Sequence, residues 1–258
     1  MPCLRTPALL VLLLAASAAC DQEPDRVFES LDSACRETDT TPSVTASDIT
    51  APPTGVQTEL VDYYAVTKYL KVQTPEVHIF GTNGVSDWMM VRTHEMAEHV
   101  LAQLNSASDR NRFSGHHIFA ITDDDPTVPN GWPGQRNTGG AQYTIVNEVL
   151  VCATAVDTIR PDDPAIYRAW DTPVHEFGHA VELVLDLRET SIEIHERWDP
   201  GYSVEVSGEY FAWASQFWFN AGLTGACGVD ALQPYDAQYF LGIFSGEEIW
   251  RPSCAGRP

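Results

Sequence analysis

The pentapeptide His175-Glu176-Phe177-Gly178-His179 restricts this chain more than any other feature. Residues four apart occupy neighbouring turns of one α-helix face, so His175 and His179 can present both imidazoles to one metal ion, with Glu176 beside them. The flanking residues predict that helix. Thr172 suits the N-cap, Pro173 the first helical position, and Val174, Phe177, Val181 and Val184 form an apolar stripe at helical spacing. Burying the stripe is expected to turn the histidine face toward a cleft.

A catalytic zinc ion takes three protein ligands and leaves one position for water, whose pKa it lowers to about 7. Two histidines therefore require a third ligand. The pattern that places a histidine six residues further on fails here, because Glu182 stands at its glycine and Leu185 at its histidine. A glutamate from a second helix is the better candidate. Residues 202–217, after the turn Asp199-Pro200-Gly201, read as a buried aromatic helix. Glu209 would be costly to bury there without a cation, and zinc would compensate it.

His-Glu-Phe-Gly-His-Ala-Val at 175–181, followed by Glu209-Tyr-Phe-Ala, resembles the anthrax lethal factor and Pro-Pro endopeptidase group of zincin metallopeptidases, over roughly residues 171–217. The resemblance implies zinc held by His175, His179 and Glu209, Glu176 as general base, and Tyr202, seven residues before Glu209, as donor to the oxyanion. The chain departs from the group at Trp213, where a second acid is usual, and in its short stretch from His179 to Glu209. Alternatives stay open: Glu205 as third ligand with Glu209 in a salt bridge, and Tyr202 as an aromatic packed on the turn. Glu182 shares the histidine face and either orients an imidazole or is solvated; solvation is the expectation.

Other polar clusters read as structural. In Thr93-His94-Glu95-Met96-Ala97-Glu98-His99 the histidines are five apart and off one face, so the segment is expected to be the polar side of an amphipathic helix. Met89, Met90, Met96, Val100, Leu101 and Leu104 form its apolar side. His116-His117 is expected to start a strand, and Asp123-Asp124-Asp125 to cap a turn rather than bind calcium.

Arg5 followed by the apolar run Ala8–Ala16 has signal-peptide character, and Ser17-Ala18-Ala19-Cys20 resembles a bacterial lipobox with serine in place of the usual leucine. Residues 1–19 are thus read as a signal peptide and Cys20 as the lipid-bearing residue, with ordinary secretion after Ala19 as the alternative. Cys35, Cys152, Cys227 and Cys254 then remain, an even set suited to two disulfides in an oxidising envelope, with three connectivities open. A net charge of −21 disfavours nucleic-acid and anionic-membrane partners.

Residues 20–56, rich in Asp, Glu, Thr, Ser and Pro, are expected to be a disordered tether. Residues 57–258 are expected to form one α+β, zincin-like catalytic domain: a mixed β-sheet with an active-site helix, followed by a mainly helical C-terminal part. Strands are predicted near 77–80, 118–121, 143–146 and 149–154, a long helix over 86–104, and a glycine- and proline-rich loop over 126–140 that could cover a cleft beside an edge strand. The expected activity is zinc-dependent endopeptidase on protein or peptide substrates, by a monomer in the cell envelope or outside the cell. The alternatives are a zinc hydrolase of a non-peptide amide such as cell-wall material and a non-catalytic envelope lipoprotein.

Overall fold

The structure is a computed structural model and describes residues 42–56, 59–122, 125, 142–144, 148–152, 168–198, 209–219, 232 and 234–245. The expected signal peptide, Cys20, the 126–140 loop, and Cys35, Cys227 and Cys254 lie outside the described residues. No helix among the described residues is long and apolar enough to cross a membrane.

The architecture is mixed α+β. Five strands, β1 (Lys68–Val72), β2 (Val77–Gly81), β3 (His116–Ile121), β4 (Gln142–Thr144) and β5 (Glu148–Cys152), form one sheet in the order β1-β2-β3-β5-β4. The central β2, β3 and β5 run parallel, while β1 and β4 pair antiparallel at the two edges. Every residue of β2 is buried, as expected of a parallel strand covered on both faces. β1 carries the half-buried Lys68 and Lys71, which pair with Asp87 and Glu76. Its short apolar content hides it from pattern reading.

One face of the sheet, lined by Val77, Ile79, Ile118 and Ala120, joins a core shared with the helices α2 (Asp87–Gln103), α4 (Arg168–Val184), α6 (Tyr210–Trp218) and α7 (Pro234–Ile243). On the other face Phe80, Phe119 and Ile121 pack against Leu60, Val61 and Tyr64, in and just after the short helix α1 (Glu59–Tyr63). α2 lies over β1 and β2, and α4 over β5 and β4. Gly81 permits the first contact: a Cβ there would stand 2.3 Å from the Met90 sulfur. The short α3 (Ala107–Asn111) and α5 (Arg188–Trp198) complete the helices among the described residues.

Ser86 caps α2 by accepting the Met89 N–H, close to the expected start. The expected polar side of α2, residues 93–99, is corrected in part: Thr93 and His94 are buried, while Glu95, Glu98 and His99 are partly exposed. β1 and the preceding arm cover that side. The tether expectation is corrected at its end for the same reason. Residues 42–56 dock on the core: Thr50 exchanges two backbone hydrogen bonds with Tyr69, and Val44 and Ile49 pack against the apolar cluster. Asp125 caps its turn as expected, accepting from the Thr122 backbone N–H and from the hydroxyls of Thr122 and Thr82.

Candidate metal centre

α4 starts at Arg168, so Pro173 falls inside it instead of at its first position. Proline's fixed φ is helical, and the chain can wind a turn before it at the loss of one N–H donor. The expected Thr172 cap is corrected accordingly. From there the apolar stripe holds: Val174, Phe177 and Val181 are buried in the core and leave His175 and His179 on the opposite side. The two rings meet edge to face at 4.8 Å between centroids.

Glu209 comes from the next crossing element. Its carbonyl accepts the Trp213 N–H at 3.0 Å, which puts Glu209 immediately before the first turn of α6. Its Oε2 lies 3.1 Å from His175 Nε2 and 3.1 Å from His179 Nε2. The third residue of the expected ligand set thus meets both imidazoles through one oxygen. Tyr202 and Glu205 lie outside the described residues.

The close approach depends on Gly178. A Cβ at that position would stand 3.0 Å from the Ala212 Cα and 3.0 Å from the Ser215 Oγ, so α4 and α6 touch almost backbone to backbone. Ser215 turns its hydroxyl to the Phe211 carbonyl and stays buried there. A residue between the two histidines therefore sets how near Glu209 can come.

Electrostatics follow from burial and these contacts. Burial disfavours the Glu209 carboxylate, but hydrogen bonds from both imidazoles outweigh it and hold the group well below the usual carboxylate range. His175 is disfavoured as a cation by burial, yet its bonds to Glu209 and Gln216 and the nearby acids raise it. Burial dominates at His179 and lowers it. Glu176 is pushed up to about 8, first by burial and then by Glu209. Its Oε2 is buried with no hydrogen-bond partner among the described residues.

His175, Glu176 and His179 offer ligand atoms within 4.8 Å of one another. Tetrahedral ligands about 2.0–2.1 Å from zinc stand about 3.3 Å apart, close to the observed spacing of Glu209 Oε2 from each nitrogen. The donor set, two imidazoles and a carboxylate, is also one that zinc takes in hydrolytic sites. The residues fit the ion.

Glu182 overturns the expectation of solvation. It is completely buried, with the Arg188 guanidinium 3.7 Å away. Ser191, which also touches the Tyr239 hydroxyl, lies beside it. Pattern reading missed α5, which supplies Arg188 and Ser191, because its buried residues include Ser191 and His195 and its apolar period is weak. It also missed Gln216, whose place two turns beyond Glu209 on α6 was the available signal.

No protein-family model, curated protein or solved structure matches the chain.

Proposed function

We propose that this chain is a zinc-dependent endopeptidase of zincin type, working in the cell envelope or outside the cell. The observation that carries the reading is the convergence of His175 Nε2 and His179 Nε2 on one Glu209 oxygen, each at 3.1 Å. The arrangement of the sheet supports it too, since α4 runs beneath β5 and the antiparallel edge strand β4.

His175, His179 and Glu209 would hold the ion, which when bound polarises a carbonyl and lowers the pKa of water. The chain's own groups do the rest. Glu176 takes the proton of the attacking water and delivers it to the nitrogen of the leaving amine as the peptide bond breaks. His179 is fixed by burial, while the more open His175 and Glu209 leave one side of the centre accessible. Tyr202 completes the proposal as donor to the tetrahedral oxyanion, on the strength of the motif resemblance.

The test is a peptide-library cleavage assay paired with zinc analysis. Glu176→Gln is expected to lose about 10²-fold or more in turnover while keeping its zinc. Glu209→Ala should lose both. Full activity in Glu176→Gln would remove it as the base, and cleavage of cell-wall amides with none of peptides would move the substrate class.

A further inference from the structure

We propose that His94 and Glu98 form a second divalent-cation site, which clasps the N-terminal arm to α2. His94 Nε2 lies 3.1 Å from the Lys71 carbonyl, and a carbonyl can only accept. Nε2 therefore carries a hydrogen, which in the neutral ring leaves the lone pair on Nδ1. Burial favours the neutral ring. Nδ1 is itself buried and has no hydrogen-bond partner among the described residues.

What faces that lone pair is another acceptor. Glu98 Oε2 stands 3.9 Å away, one helical turn on, and also accepts the Ser43 hydroxyl of the arm at 2.5 Å. Asp48, on the 3-10 turn Ala46–Asp48 of the same arm, and Glu95 add negative potential at His94. A buried, unpartnered ring nitrogen facing a carboxylate in an acidic field is a place that a cation would fill. The spacing is too long for a hydrogen bond. It exceeds by about 0.6 Å the roughly 3.3 Å between two ligands of a tetrahedral ion, and the half-exposed Glu98 side chain can close that gap.

The ligand chemistry narrows the ion. One imidazole nitrogen and one carboxylate oxygen suit zinc and its first-row neighbours better than calcium or magnesium, which prefer all-oxygen shells. The Nε2–H donation to a backbone carbonyl is also how metal-bound histidines are usually oriented. Water would fill the remaining positions.

The site is independent of the α4–α6 centre, and so is its test. Zinc binding to the full-length His175→Ala/His179→Ala chain is measured by equilibrium dialysis, with circular dichroism to check folding. One ion per chain is expected, bound at least about tenfold more weakly when Glu98→Gln or His94→Gln is added. In the otherwise unchanged chain, Glu98→Gln should reduce the stoichiometry from two ions to one and leave peptide turnover as it was. Absence of zinc from the double-alanine chain, or zinc whose affinity neither substitution alters, overturns the proposal.

Discussion

Glu182 lies three residues beyond His179, wholly buried, and burial pushes its carboxyl up from 4.5 to about 7 against the opposing pull of Ser191 and Arg188. The folded chain therefore binds this proton more tightly than the unfolded chain does. The group's contribution to stability is complete below about pH 4.5 and is lost as pH rises through about 7, a change of roughly 1–3 kcal/mol. Glu182→Gln removes the titration. Its melting temperature is expected to match the parent near pH 5 and to exceed it near pH 8. An equal difference at both pH values would show that Glu182 keeps its charge at no cost. Glu176 is nearly as buried, and the difference lies in neighbours: Arg188 faces Glu182, while His175 and Glu209 act on Glu176 in opposite directions.

The crossing of α4 and α6 turns local patterns into a centre. Gly178 leaves no room for a side chain, and Ala212 and Ser215 present only small groups in return. Gly178→Ala is expected to push the helices apart by a few tenths of an ångström or more, at a cost of about 1–3 kcal/mol. Because Glu209 heads α6, the same shift withdraws the proposed third ligand, so zinc affinity should fall at least severalfold. A Gly178→Ala protein that melts and binds zinc like the parent would mean that something other than this contact places Glu209. The aromatic stack behind the crossing, Phe211 on Phe240 at 5.0 Å and Trp218 on Phe240 at 5.6 Å, anchors α6 to α7 and gives it a firm back wall.

For the molecule entire, a zinc site built from helices that meet only in the folded state couples binding to folding. An ion at 100 times its dissociation constant adds about 2.7 kcal/mol, worth about 5–10 °C in a domain of this size. The shift is best read in Glu98→Gln, where only the α4–α6 centre would remain, by differential scanning calorimetry of metal-free and zinc-loaded protein. Identical melting curves would show that the centre does not hold the ion.

The elements legible in the sequence are those whose signals are local. Four residues of helix carry His175 back to the face of His179 whatever surrounds them, and the apolar runs Ile79-Phe80 in β2 and Ile118–Ile121 in β3 announce themselves as interior strand. The docking of residues 42–56 was illegible, because its polar composition resembles a tether and its attachment runs through backbone bonds to Tyr69. β1 and α5 were missed where lysines or buried polar residues break the period. The arrival of Glu209, thirty residues beyond His179, needed motif resemblance to foresee and a packed crossing to bring about. Helical periodicity is a property of the chain's own backbone, whereas the burial of His94 comes from β1 and the N-terminal arm, surfaces distant in sequence, and no single segment encodes which surface will cover it.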